Sequence, residues 1–472
     1  MNVKSSNALN TNRSLAIGMF SDKLQPFVKT MNREFRVVLL DLLKKKQVSL
    51  AFGQVTPMYT FGTVDHPKIY IVGLGKADQF NTERCRAAAG RLARLIKEDT
   101  EVVLPTFGDA QAVTEGLLLG AYAYSGYQKD DNPQINVSLY SPEDISTEVA
   151  RGTILAEGQN LARDLANEPA NLLNADTFAG LLDNFAAEHG LDHFILGIDD
   201  IVKMGMGGLA AVNQGSAIPA RLAILSYEGS EDGDWTALVG KGVTFDSGGY
   251  NMKPSASIKG MKGDMAGASS CFGAFFAAVS LKIPKNVMLI IPLTDNLVSA
   301  NAVKTGDVVE MMNHKTVEVT NTDAEGRLIL GDALVLATRL GADRLIDVAT
   351  LTGAMAAALG SDVTGAFTND PEMFKALGDA ASQAGERVWQ MPLFPDYAKW
   401  LKQSQVADLD HAPIGRPGAI AAAAFLQEFV GKTPWIHLDI AGSFNSKEAY
   451  ELGPKGATGV MARTLFNFLE RI

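Results

Sequence analysis

The run Asn321-Thr322-Asp323-Ala324-Glu325-Gly326-Arg327-Leu328 sets two carboxylates, a glycine and a guanidinium side by side at the mouth of an apolar stretch. Carboxylates this close repel unless a cation lies between them, so metal binding is the first chemistry to consider. A plainer reading competes: Thr322-x-x-Glu325 is a capping box, which satisfies the free amides of a helix start. Gly326 counts against that reading alone, since glycine in a first helical turn costs about 1 kcal/mol relative to alanine. Upstream, Leu238-Val239-Gly240-Lys241-Gly242-Val243-Thr244-Phe245-Asp246-Ser247-Gly248-Gly249 leads to Lys253-Pro254-Ser255 and then to Met261-Lys262-Gly263-Asp264-Met265. Each charge there lies among glycines or beside an element expected to be buried.

Together these two constellations resemble the leucyl (cytosol) aminopeptidase family, whose signature matches Asn321 to Leu328. The resemblance is close from Asn167-Glu168-Pro169-Ala170-Asn171 to the C-terminus. It includes Ala349-Thr350-Leu351-Thr352-Gly353-Ala354, Gly415-Arg416-Pro417-Gly418 and His437-Leu438-Asp439-Ile440-Ala441-Gly442. Before that it thins to Val72-Gly73-Leu74-Gly75 and Glu115-Gly116-Leu117-Leu118-Leu119-Gly120, and it does not place the first sixty or so residues. Two segments depart from the commonest pattern: Tyr250-Asn251-Met252, where aliphatic residues are more frequent, and Asp295-Asn296-Leu297-Val298, where Glu-Asn-Met-Pro is common.

What the resemblance implies is a metal-dependent aminopeptidase that releases N-terminal leucine and other apolar residues from short peptides. Its two-metal site falls on Lys241, Asp246, Asp264, Asp323 and Glu325. Lys241, Asp246, Asp264 and Glu325 would hold the tighter metal, and Asp246, Asp323 and Glu325 the more exchangeable one, so Asp246 and Glu325 bridge. Zinc or manganese is expected, with magnesium or cobalt as options at the exchangeable position. Two catalytic residues that are not ligands match Lys253 and Arg327, and all seven positions carry the expected type. Lys253 would donate to the carbonyl oxygen as it becomes an oxyanion, and Arg327, with Leu351, would hold a bicarbonate ion as proton shuttle. Met261, Thr350 and Gly353, with Ala441 nearby, match the lining of the first side-chain pocket. The resemblance also implies a homohexamer, a dimer of trimers with its active sites facing an interior cavity.

Four carboxylates bring a formal charge of −4, which two divalent cations would neutralise. Oxygen-rich ligation with one amine suits zinc, manganese, cobalt or magnesium better than a soft metal. Lys241 could serve as a ligand only as the neutral amine, its pKa lowered by burial and an adjacent dication; the bland alternative is a solvated lysine in a glycine-rich turn. Two such metals can bind a substrate's α-amine, polarise the scissile carbonyl and lower the pKa of water. For Arg327 the bland alternative is a surface ion pair with Asp323. Arg327 also lies at the start of a helix expected from Leu328 to Thr338, whose free amides favour an anion.

Composition narrows the function further. Lys plus Arg 42 against Asp plus Glu 53 gives −11 over 472 residues, a surface that should repel nucleic acid and anionic membranes. Two cysteines, Cys85 and Cys271, are too few for a disulfide framework and fit a reducing compartment. Met1 to Asn7 leads into no signal-peptide core, and the apolar run Met265 to Leu281 falls short of the ~18 residues of a membrane span. A cytoplasmic protein with a buried helix there is the expectation. The six histidines are scattered, and His437 reads as a hydrogen-bonded core residue. A competing class is a non-catalytic or DNA-touching regulatory protein on the same fold; the complete seven-residue set and the acidic balance argue against it.

The fold class expected is α/β with two domains, a smaller N-terminal α/β domain and a larger catalytic α/β domain around a central, mainly parallel sheet. The boundaries expected are residues 1–140, a connecting helix over 141–166, and 167–472. In the first part, Ile69 to Val72 and Val102 to Leu104 read as strands, and Thr82 to Lys97 and Glu115 to Tyr124 as helices. Lys129 to Pro133 reads as a turn, and Pro142 to Ala166 as one long helix. In the second, Leu222 to Tyr227, Thr236 to Val239, Val287 to Leu293, Arg344 to Ala349 and Ile436 to Ile440 are near-continuous apolar strands. Lys241 and Leu351 follow two of these, where open α/β sheets place their ligands. Gly205-Met206-Gly207-Gly208-Leu209-Ala210 and Gly73-Leu74-Gly75 imitate dinucleotide fingerprints and read as turns.

Overall fold

The computed structural model describes residues 1–23, 26–127 and 134–472; the turn expected at Lys129 to Pro133 lies outside the described residues. The chain forms two compact units, Met1–Asn160 with Lys447–Lys455, and Leu161–Ser446 with Gly456–Ile472. Both are mixed α/β.

The first unit is built on a six-stranded sheet in the order Asn2–Ser6, Asn136–Tyr140, Thr100–Val103, Ser14–Phe20, Lys68–Gly75, Val55–Tyr59. All pairings are parallel except that of Val55–Tyr59. Ser14–Phe20, in the stretch no motif had placed, is a central strand with its side chains almost wholly buried. Boundaries move where local chemistry dictates. Pro105 cannot donate to a ladder, so Leu104 leaves the strand for a short turn, Leu104–Thr106. The helix expected from Glu115 begins at Ala110, because Asp109 accepts a hydrogen bond from the Ala112 N–H at 2.9 Å. Thr82–Ala93 stops short of Lys97. Gly73-Leu74-Gly75 is no turn: Gly73 pairs through both backbone groups with Gly53 and Gln54, which extends the strand to Gly75. The long helix spans Ser146–Asn167, starting later than Pro142 where Asp144 accepts from the Ser146 N–H.

The second unit holds a nine-stranded sheet. Its centre is Trp435–Asp439, Arg344–Ala349, Trp235–Gly240 and Asn286–Asn296, mutually parallel and buried. The far half of Asn286–Asn296 pairs in parallel with Gly242–Asp246. Antiparallel strands close both sides: Arg221–Tyr227 and Asp192–Leu196 on one, Thr364–Thr368 on the other, with Val388–Gln390 parallel to the last. Helices Ala266–Ser280 and Glu325–Arg339 are buried nearly all round and pack against these strands, which is why neither has a solvated polar face. Met265 to Leu281 is thus a buried helix, and no helix among the described residues is long and apolar enough to cross a membrane. Gly207 to Ala210 open a helix, Gly207–Asn213, with no strand before them. Only Gly205 and Met206 remain as the expected turn.

Three central strands end in register, with Val348 opposite Gly240 and Ala349 opposite Asp439. The residues that follow, Lys241, Thr350 and Ile440, therefore emerge together at the carboxyl edge of the sheet.

Candidate active site

Lys241 is 3% exposed and far from the surface lysine its glycine-rich setting allowed. Its backbone is held on both sides, its N–H donating to the Val348 carbonyl at 3.0 Å and its carbonyl accepting from the Ala268 N–H at 3.0 Å. The side chain is thereby aimed along the sheet edge. Nζ lies 2.8 Å from Asp264 Oδ2 and 2.9 Å from Glu325 Oε1, and donates to the Thr350 carbonyl at 3.1 Å. Lys253 Nζ lies 2.7 Å from both Asp246 Oδ2 and Asp323 Oδ1. One carboxylate oxygen from each of Asp246, Asp323 and Glu325 lies within 4.8 Å of the others. The five residues expected to hold metal, and Lys253, are therefore in one cluster.

Two glycines make this density possible. A Cβ on Gly326 would fall 2.6 Å from Lys241 Cε and 2.9 Å from Nζ, so the lysine occupies the space a side chain there would need. Gly248 has φ +88°, and a Cβ on it would meet Asp323 Oδ1 at 2.7 Å. The glycine that weakened the capping-box reading thus has a packing reason. The capping box itself does not form: the helix starts at Glu325, Ala324 precedes it without a side-chain cap, and the Thr322 hydroxyl donates to the Gly248 carbonyl at 2.7 Å.

The electrostatics of the cluster favour a cation. Burial, together with repulsion from Asp246, pushes Glu325 well above the usual carboxylate range; the same two effects raise Asp264, with Lys241 opposing. Burial likewise raises Asp323, against the pull of Lys253. Burial alone would lower the Lys241 ammonium, but Asp264, Glu325 and Asp246 outweigh it and hold the group above its ordinary value. Lys253 follows the same pattern, with Asp246 the strongest of its supports. Among the described residues, Glu325 Oε2 is buried with no hydrogen-bond partner. Asp264 Oδ2 and Asp323 Oδ1 have an ammonium close by but lack hydrogen-bond geometry. Buried carboxylate oxygens left this way, with lysine ammonium groups already standing among them, fit hard divalent cations.

Arg327 is not the surface pair with Asp323 that was the bland alternative. It is buried, its Nη1 donates to the His411 carbonyl at 2.7 Å, and its Nε finds no hydrogen-bond partner among the described residues. Burial pulls its pKa down to about 10 against the opposing charges of Glu325, Asp439 and Asp410, so the guanidinium remains charged at neutral pH. The imidazole of His411 is pushed down to about 3 by burial and by Arg327. Neutral His411 accepts from the Thr320 N–H and approaches the Asn321 carbonyl at 3.1 Å, which ties the arginine's anchor to the signature segment.

These groups face a cavity of about 550 Å³ lined by Lys241, Asp246, Lys253, Asp264, Asp323, Glu325 and Arg327. Met261, Thr350, Leu351, Gly353 and Ala441 line it as well, joined by Ala354 at the end of the Ala349 to Ala354 motif and by Pro413, Ala421 and Phe444, which no sequence pattern had singled out. Thr350 also steadies the cluster, since its hydroxyl donates to Asp264 Oδ1 at 2.7 Å. The Leu351 N–H donates to Asp439 Oδ1 at 3.2 Å. Asp439 also accepts from the Ala441 N–H and the Thr352 hydroxyl, so this one carboxylate braces the loop beside the cavity. His437 is the core residue expected, bonded to Asp347 at 2.6 Å.

Residues 160–466 match the catalytic domain of the cytosol aminopeptidase family, and residues 16–131 match its N-terminal domain. The bottromycin maturation enzyme BotP in complex with Mn is 33% identical with a TM-score of 0.87, over 97% of this chain and 99% of that one. A second structure of BotP gives 33% identity and a TM-score of 0.86, over 98% and 99%. With both domains matched and an acidic, lysine-bearing cavity at the carboxyl edge of the sheet, the chain belongs to the cytosol aminopeptidase family of metal-dependent aminopeptidases.

Proposed function

We propose that this protein is a leucyl-type aminopeptidase that removes leucine and other apolar N-terminal residues from short peptides. The observation that carries the reading is the adjacency of the carboxylate and lysine cluster to the Met261, Gly353, Ala354 and Phe444 wall of one cavity. Asp246, Asp264, Asp323, Glu325 and the amine of Lys241 would hold two divalent cations, zinc or manganese, with magnesium or cobalt also suited to the position shared by Asp246, Asp323 and Glu325. The Mn complex of BotP supports manganese as one such metal. Bound there, the pair supplies Lewis acidity toward the peptide carbonyl and a nucleophile from water near neutral pH.

The chain's own residues do the rest. Lys241 becomes a ligand only after losing its proton, which the carboxylates around it oppose until their charge is neutralised. Lys253, half-buried and paired to two carboxylates, can leave one of them and donate to the carbonyl oxygen as negative charge develops on it. Arg327 offers its unpartnered Nε to an anion, and bicarbonate in that position, beside Leu351, would relay the proton to the leaving amine. The apolar wall takes the first side chain; because a methylene discriminates by only about 1–3 kcal/mol, the preference is graded.

Hydrolysis of leucyl p-nitroanilide is the test: activity lost with a chelator and restored by manganese or zinc is expected, with aspartyl and lysyl substrates poorer. Chelator-insensitive hydrolysis, or a preference for charged residues, would overturn the reading. We further take the protein to be cytoplasmic and a homohexamer; light scattering that reports a monomer would remove the latter and leave the chemistry.

The packing of Gly326 yields a second expectation. Gly326→Ala should push Lys241 out of line and weaken metal affinity roughly 10- to 100-fold, the scale for residues that orient ligands. Calorimetric titration of the metal-stripped protein with manganese would read this directly, and unchanged affinity would show that Lys241 can move without consequence.

A further inference from the structure

Asn296 ends the strand Asn286–Asn296 and is 2% exposed. Its Nδ2 donates to Asp246 Oδ1 at 2.9 Å and to the Thr322 carbonyl at 2.9 Å, which uses both amide hydrogens. Neither acceptor can donate, so the amide cannot flip without setting oxygen against oxygen. The backbone carbonyl of Asn296 meanwhile accepts from the N–H and hydroxyl of Ser247 at 2.9 and 2.7 Å. One residue therefore grips the segment that carries Asp246 and the segment that carries Asp323 and Glu325. With the Gly248 N–H also on Asp246 Oδ1 at 2.8 Å, that oxygen has two donors, and Oδ2 is the one left to face the cluster.

Asn251 strengthens the link from the other side. Its N–H donates to the Thr322 hydroxyl at 2.8 Å, and its Oδ1 accepts from the Thr322 N–H at 2.9 Å. Thr322 is thus held through its N–H, its hydroxyl and its carbonyl by the loop that leads from Asp246 to Lys253 and by Asn296.

We propose that Asn296 is a positioning residue for the metal centre: it locks the Asp246 carboxylate with Oδ2 aimed inward and holds it in register with Asp323. This rests on reading Asp246 as a metal ligand. Outer partners of this kind typically govern about 10- to 100-fold of metal affinity, and the loss should fall on affinity and not on the chemical step.

The experiment titrates the manganese-loaded protein with a chelator of known strength, for wild type, Asn296→Ala and the isosteric Asn296→Asp. Thermal unfolding of the stripped proteins serves as the check on folding. Asn296→Ala should release manganese about 10- to 100-fold more readily at an unchanged stripped-state midpoint, and hydrolysis should return toward wild type at saturating manganese. Asn296→Asp, which sets a carboxylate against Asp246, should lose more, and carries the test if the alanine variant unfolds. Wild-type affinity in both folded variants, or a loss of turnover that excess manganese does not repair, would overturn the proposal. A wild-type protein that takes up no divalent cation would overturn the underlying site reading as well.

Discussion

Glu325→Ala and Asp246→Ala will each abolish peptide hydrolysis and release metal. Glu325 is at once the partner of Lys241 at 2.9 Å and a member of the group whose oxygens converge with those of Asp246 and Asp323. Removing it would take from both halves of the cluster a carboxylate that the proposed metal site needs. Asp246 is equally shared, with Oδ2 toward Lys253 and Oδ1 fixed by Asn296 and Gly248. Polarisation of the carbonyl by a metal is worth several kcal/mol, so its loss should cost roughly 10³-fold or more in turnover. The folded structure should survive, because the change relieves a buried carboxylate that burial and like charge already disfavour. Turnover of leucyl p-nitroanilide and elemental analysis on the same sample decide the matter. A Glu325→Ala protein that is active with two metals per chain would refute the ligand assignment.

Arg327→Ala should behave differently. The guanidinium donates to the His411 carbonyl, its buried Nε has no hydrogen-bond partner among the described residues, and the residue lines the cavity. It cannot act as a metal ligand, since it has no acceptor and does not give up its proton. The variant should therefore keep both metals and its assembly, and KM should change little if the metals hold the amine and carbonyl of the substrate. Turnover should fall by about 10–10⁴-fold, the scale of a lost acid–base group. Added bicarbonate should stimulate bicarbonate-depleted wild type and leave Arg327→Ala nearly unaffected. Equal stimulation of the two would place the anion elsewhere and leave Arg327 as an anchor for the His411 loop.

Much of the catalytic unit was legible from the chain. Its four central strands and Arg221–Tyr227 are near-continuous apolar runs and were placed to within a few residues, whereas Asp192–Leu196, Gly242–Asp246, Thr364–Thr368 and Val388–Gln390 were not anticipated. The first unit was read less well. Ser14–Phe20 is a central strand in a region with no recognisable motif, and helix starts shifted toward their caps at Asp109 and Asp144. Single polar residues were harder still. Asn296, His411 and Asp439 were given no role, because the partners that define one lie on other segments: Asp246 and Thr322 for Asn296, Arg327 for His411, and Leu351 for Asp439. A matching segment can contain such a residue, as those around Asn296 and Asp439 did, without revealing what it bonds.

By itself the sequence determined the chemistry available: Asp323, Glu325 and Arg327 lie on one short segment, and Lys241, Asp246 and Lys253 on another, so their types and order could be read directly. Only the tertiary structure decided that the two segments meet. The parallel strands end together, the missing Cβ of Gly326 admits Lys241, and Thr322 is drawn onto Gly248 and Asn251 instead of capping its helix. The physical reason is that charge repulsion and hydrogen-bond demand depend on distances across the fold, and spacing along the chain sets those only within a segment.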